Sequence, residues 1–255
     1  MPGGALTGGR WLDIAPERTV TWLSDFVDRH GNAEVVPVAE ATSGSAPASA
    51  RTPGTGASAA AVRYIARDAA IAECHVPFPP LADEAVVKDG DPDPVRVAER
   101  IAAHAMAERT VGVLLVRLGG FAAGVFTGAP PRLAASKTGA RLVHGRSAAG
   151  GTSQQRFARR REKQASQALS AAADAAASVF EKFAGEIDAV VLGGDKIAIG
   201  RLREDPRLRP YFDLAVDRFL TVPEPRLAVL RDAPRLFRAV RIRLIEPAPR
   251  AAPRR

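Results

Sequence analysis

A nearly continuous apolar run from Val111 to Leu118 is separated only by Gly119-Gly120 from a second apolar run, Phe121 to Phe126. That spacing predicts a tight hairpin, and strands this apolar belong in the interior of a sheet. The flanking sequence offers partners for it. Val62 to Ala66 and Ala70 to Val76 read as strands around an Arg67-Asp68 turn, Ala189 to Leu192 as a buried strand, and Phe219 to Val222 and Ala239 to Ile245 as further strands. Arg132 to Ser136 and Ala140 to His144 predict another hairpin about Thr138-Gly139.

Between these runs the period changes to that of helices. After a short extended segment, Leu12 to Ile14, Pro16-Glu17 opens a helix whose Val20, Leu23, Phe26 and Val27 share a face, and Gly31-Asn32 ends it. Asp93 caps a second helix, with Pro94 at its first position and Ala98, Ile101, Ala102 and Ala105 on its buried side. Gln155 to Phe183 reads as one long helix, with Ala165, Leu169, Ala172, Ala176, Val179 and Phe183 in a single stripe. Lys196 to Arg203 and the stretch near Pro225 to Phe237 are shorter helices. Strands interleaved with helices and hairpins predict an α/β (α+β) chain with a mixed β-sheet and covering helices, not a purely parallel doubly wound sheet.

A chain of 255 residues can bury one sizeable core. The expected organisation is a strand and helix segment over residues 1–40, a flexible loop of Ala, Ser, Thr, Gly and Pro over 41–60, one principal domain over 61–246, and a disordered Pro/Arg tail over 247–255. The 36 Lys and Arg against 28 Asp and Glu leave a net charge of +8, which favours an acidic partner such as RNA or an anionic membrane surface, although a genome that prefers Ala, Arg, Pro and Gly codons also raises arginine. Cys74 is the only cysteine, so no internal disulfide can form, and no Cys/His spacing suits zinc. No segment approaches the roughly 18 apolar residues that span a bilayer. The expectation is a cytoplasmic protein with no membrane partner, no metal and no cofactor.

The charge is concentrated behind one loop. From Gly145 to Ser153 every residue except Arg146 is small, which predicts a mobile projecting loop, and it runs straight into Gln154-Gln155-Arg156-Phe157-Ala158-Arg159-Arg160-Arg161. At about 100° per residue, Arg156, Arg159, Arg160 and Lys163 fall opposite the apolar stripe of the long helix. Such a run is often only a solvated face. Beside a glycine-rich loop, with Glu162 the one acid nearby, it suits guanidinium forks on phosphates, which give affinity and orientation without sequence readout.

The segment Leu142 to Glu162, built around Gly150-Gly151-Thr152-Ser153-Gln154, resembles the signature of the bacterial Vms-like release factors (VLRF), peptidyl-tRNA hydrolases related to the catalytic domain of archaeo-eukaryotic class-one release factors. The pattern Trp11, Arg18, Trp22, His30-Gly31 and the turn Val190 to Lys196 also look familial, so the resemblance covers most of the chain, with Ala41 to Ala60 as the main gap. The shared Gly-x-x-Gln element falls on Gly151 and Gln154. The chain lacks a strict Gly-Gly-Gln triplet, and Gln155 follows Gln154, so the neighbouring position stays open as an alternative.

The resemblance implies a release-factor catalytic domain related to ribonuclease H-like folds, acting on peptidyl-tRNA at the large ribosomal subunit. It implies Gln154 as the catalytic residue, Gly150, Gly151, Thr152, Ser153 and Gln155 as its loop, and Arg156, Arg159, Arg160 and Lys163 as contacts to tRNA or ribosomal RNA. A glutamine amide does not titrate usefully, so its role would be to orient water or to donate its backbone N–H. The competing readings are an endonuclease cutting near the tRNA acceptor end and a non-catalytic RNA-binding factor. Other chemistry is poorly supported: Ser153 lacks a nucleophile elbow, His30, His75, His104 and His144 show no triad motif, and Asp68, Asp188 and Asp195 form no metal-nuclease signature. Cys74-His75 reads as strand packing plus an edge histidine, and Gly193 to Lys196 as a strand-to-helix turn without P-loop spacing.

Overall fold

The computed structural model describes residues 8–39, 59–81, 93–117, 119–140 and 153–247, with backbone alone over 153–161. The loop expected at 41–60, apart from its last two residues, and the tail from 248 onward lie outside the described residues. The chain divides into two compact units, residues 1–107 with 238–255, and residues 108–237. This division differs from the single principal domain expected over 61–246, because the strands of residues 59–75 and 240–245 pair with those of the first 40 residues.

In the first unit five strands form an antiparallel sheet in the order β1 (Arg10–Ile14), β10 (Val240–Ile245), β4 (Ile71–His75), β3 (Ala59–Ala66), β2 (Ala33–Ala39). Helices α1 (Pro16–His30) and α2 (Pro94–Met106) share one core with one face of this sheet, where Leu23, Phe26 and Ile101 meet Val62, Tyr64, Cys74, Ile242 and Leu244. Local sequence sets the helix ends: Pro16 occupies the first turn of α1, Gly31 with φ of 81° follows its last residue, and the Asp93 carboxylate accepts from Val95 N–H to start α2. Strand β2 was not anticipated. Pro37 argues against a strand, but β2 lies at the sheet edge, where a missing N–H is tolerated.

The second unit holds a mixed sheet in the order β7 (Arg132–Ala140), β6 (Gly120–Thr127), β5 (Val111–Arg117), β8 (Ala189–Gly194), β9 (Ala215–Leu220). The β5/β6 hairpin is antiparallel as expected, and β8 joins β5 in parallel. Alternation divides these strands between two covered faces. Leu114, Val116, Ala123, Val125, Val190 and Leu192 share a core with α3 (Ser153–Phe180), α4 (Lys196–Leu202) and α5 (Arg209–Phe212), while on the other face Phe126 meets Phe237 of α6 (Leu227–Phe237) edge to face.

One expected hairpin is corrected. Arg132 to Ala140 is a single strand with no turn at Thr138-Gly139; of the other expected arm, Ala140 ends this strand and residues 141–144 lie outside the described residues. Gly139 pairs directly with Phe121, and a Cβ there would come 2.6 Å from the Phe121 ring, so the glycine makes room for an aromatic neighbour. The strand expected at Phe219 to Val222 also starts earlier, at Ala215.

Candidate functional site

Residues 141–152 connect the end of β7 to the start of α3, so Gly150, Gly151 and Thr152 lie outside the described residues. Ser153, Gln154 and Gln155 are placed by their backbone alone, in the first turn of α3. The helix therefore begins two residues before the expected start, and Gln154 is helical instead of preceding the helix. Nothing after Gly151 resists helix: Ser suits an N-terminus, and Gln, Arg and Ala propagate it.

The described side chains show where this helix is anchored. Ala168 is the first buried one, and Ala172, Ala173, Ala175, Ala176, Ala177, Val179 and Phe180 follow; so many alanines let the helix lie close on β6 and β7. Before Ala168, Glu162, Lys163, Ser166 and Gln167 are exposed. From Gln154 to Ala168 the helix advances by about 21 Å at the standard rise. Lys163 is exposed as expected, and the Cα positions of Arg156, Arg159 and Arg160 fall within about 60° of it by helical phase.

The remaining candidates have structural roles. Asp195 Oδ1 accepts from the N–H groups of Ile197 at 2.8 Å and Ala198 at 3.4 Å, so the corner that resembles a phosphate site already holds its own carboxylate. Gly194, with φ of 98°, is required there because a Cβ would strike the Val116 carbonyl. Asp188 accepts from Thr110 N–H at 2.8 Å. His104 Nε2 lies 3.0 Å from both the Pro77 and Phe78 carbonyl oxygens. His30 Nδ1 lies 2.9 Å from Asp68 Oδ2, and this hydrogen bond, with a second from Ala70 N–H, holds the Asp68 carboxyl below its ordinary range. His144 lies outside the described residues.

Cys74 is buried, and burial first, then the neighbouring Glu73 charge, pushes its thiol well above the ordinary range. His75 Nε2 lies 2.9 Å from Glu73 Oε1, and Glu73 also accepts from Arg63 Nε at 3.0 Å and from Nη2. Burial opposes ionisation of Glu73, but these two partners outweigh it and hold the carboxyl low. Among the described residues no three His, Cys, Asp or Glu side chains form a group that could hold a metal ion, and no described helix is long and apolar enough to cross a membrane.

Sequence reasoning passed over one exposed cluster, Trp11 with Arg241 and Arg243, whose guanidinium carbons lie 4.5 and 5.6 Å from the Trp11 ring centroid. The alternation Val-Arg-Ile-Arg-Leu-Ile of β10 could have shown that both arginines share a face; that Trp11 joins them depends on strand pairing 230 residues away in sequence.

Residues 109–243 match the family model described as Actinobacteria/chloroflexi VLRF1 release factor. Comparison with curated proteins gave no match. Among solved structures the chain is similar to the archaeal translation termination factor aRF1, at 15% identity over 68% of this chain and 46% of that one, with a TM-score of 0.38. It is also similar to a Vms1 mitochondrial localization core, at 10% identity over 71% of this chain and 75% of that one, with a TM-score of 0.36. The chain thus spans less than half the length of the archaeal factor.

Proposed function

The chain belongs to the Actinobacteria/chloroflexi VLRF1 release factor family, and on that premise we propose that it is a cytoplasmic peptidyl-tRNA hydrolase that frees nascent chains from stalled large ribosomal subunits. Family membership makes it a release-factor-like protein of translation. The ester substrate, the large subunit and the roles of individual residues are the proposal.

The observation that carries it is the placement of Gln154 in the first turn of a 28-residue helix, about 21 Å along the axis from Ala168, the first buried side chain among the described ones. A helix that long, preceded by Gly150-Gly151, gives a narrow element with reach, which a peptidyl-transferase centre demands. The first N–H groups of any α-helix have no partner within it, and they carry the positive end of the helix dipole. The Gln154 N–H belongs to that set and would donate to the carbonyl oxygen as it gains charge, while the side-chain amide orients the attacking water. The water oxygen bonds to the carbonyl carbon, the bond from that carbon to the ribose oxygen breaks, and a proton ends on the ribose oxygen. The products are a free peptide acid and a tRNA with an intact terminal adenosine. Arg156, Arg159, Arg160 and Lys163, one helical side behind Gln154, would hold phosphates of tRNA or ribosomal RNA.

Incubation with peptidyl-tRNA on purified large subunits, followed by analysis of both products, tests the proposal. Free peptide with full-length tRNA is expected. A shortened tRNA, with the peptide left esterified to the released 3′ fragment, would make the protein an endonuclease, and binding without either product would make it a non-catalytic factor.

A further inference from the structure

We infer that Trp11, Arg241 and Arg243 form a second RNA contact, a platform on which an unpaired base of single-stranded RNA stacks. It rests on the reading that the partner is RNA, but it involves the five-stranded antiparallel sheet and no residue of α3.

Trp11 and Asp13 of β1, Arg241 and Arg243 of β10, and Glu73 and His75 of β4 lie on the sheet face opposite α1 and α2, in the register Trp11 to Arg243 to Glu73 and Asp13 to Arg241 to His75. Trp11 is 44% exposed, unusual for so large an apolar side chain. Its ring is nonetheless held by neighbours: the Arg241 and Arg243 guanidinium groups lie over it, and the His75 ring lies 5.1 Å away at a 57° tilt. His75 is held by Glu73, and Glu73 by the buried Arg63. A ring ordered in advance loses little freedom when something stacks on it.

Charge selects the occupant. Arg243 donates to the Gly8 carbonyl at 2.8 Å, and the Arg241 guanidinium makes its close approach to the ring itself. An apolar protein surface laid on Trp11 would strip water from these cations without replacing it. A nucleotide would place a base on the indole and its phosphate beside a guanidinium, which is the combination that single-strand binding surfaces use. The chain's net charge of +8 acts in the same direction.

Only Trp11 and Trp22 contribute indole fluorescence, so the full chain carrying Trp22→Phe reports on Trp11 alone. Titration with decauridylate and decaadenylate should quench its emission. In the otherwise unaltered chain, Trp11→Leu keeps an apolar side chain at this position and should weaken oligonucleotide binding by roughly 5- to 150-fold, the range a lost base–aromatic stack gives, while Trp11→Phe retains most of the affinity. Arg241→Gln with Arg243→Gln should lower the salt slope by up to about 1.4, from roughly 0.7 per phosphate on a single strand. A Trp11→Leu variant that folds by circular dichroism and binds with unchanged affinity overturns the inference, as does quenching by anionic phospholipid vesicles but by neither oligonucleotide. Peptide release without any effect at Trp11 defeats this inference alone; an effect at Trp11 without peptide release defeats the hydrolase reading alone.

Discussion

The tip of the Phe121 ring occupies the space over Gly139, so close that a Cβ on Gly139 would lie 2.6 Å from it. The two residues face each other across β6 and β7, one position before β7 ends and the chain enters the segment leading to Gln154. Gly139→Ala should therefore displace either a buried aromatic or the strand end that anchors that segment. A cost of about 1–3 kcal/mol is expected, as for overpacking elsewhere, read as a lowered thermal midpoint. Peptide release should fall more than that loss of folded protein explains. An unchanged midpoint would show that Phe121 yields freely.

Gln154→Ala should reduce peptide release by on the order of 100- to 1000-fold if its side chain is the preorganised group, with binding to large subunits nearly unchanged. The substitution keeps the backbone N–H, so a much smaller loss assigns the chemistry to the helix terminus. Gln155→Ala should be milder. Single-turnover release rates rank the two, and the reverse ranking moves the reactive position one residue along.

Much of this architecture could be read in the sequence, for definable reasons. The β5/β6 hairpin was legible because two apolar runs flank a glycine pair, and α2 because Asp93-Pro94 is a strong start signal. What failed depended on partners distant in sequence. Thr138-Gly139 looks like a turn until Phe121 is placed opposite it, and Pro37 looks like a strand breaker until β2 is known to be an edge. The division into two units was hidden because β10 returns to pair with β1 across nearly the whole chain. The exposure of Lys163 could be read from the period of α3. The Trp11 cluster could not, since three strands build it.

Release should persist in chelator and after treatment with a thiol alkylator. The proposed chemistry uses no metal, and burial holds the Cys74 thiol protonated at neutral pH, so the reagent should modify it only after denaturation. Release lost in chelator and restored by zinc or manganese would sink the metal-free mechanism. Magnesium must be varied separately, because ribosomes require it.

The Arg63–Glu73–His75 cluster predicts an acid limb in the stability of the first unit. A carboxyl whose pKa is lowered by folding contributes stability at pH above its unfolded value and loses it as pH falls through its folded value. Glu73 is such a group, so its contribution should be complete above the ordinary glutamate range, about 4.3, and disappear below it. Glu73→Gln should be destabilising near neutral pH, with the difference from the parent chain shrinking as acid is added. Denaturation midpoints followed across this range check it; a difference that stays constant with pH would mean the carboxyl does not ionise differently on folding.

Replacing Arg156, Arg159, Arg160 and Lys163 together with Gln should weaken binding to large subunits and flatten its dependence on salt. Each phosphate contact releases condensed counterions, so the slope of log affinity against log salt should fall by up to about three if all four touch single-stranded or irregular RNA, at roughly 0.7 per neutralised phosphate. The helix should survive, because Gln is a good helix former and the packing from Ala168 to Phe180 is untouched. Retained circular dichroism separates this result from unfolding. A folded quadruple variant with unchanged affinity and slope would make this side of α3 an ordinary solvated face, and it would leave the Trp11 sheet as the surface on which to look for RNA.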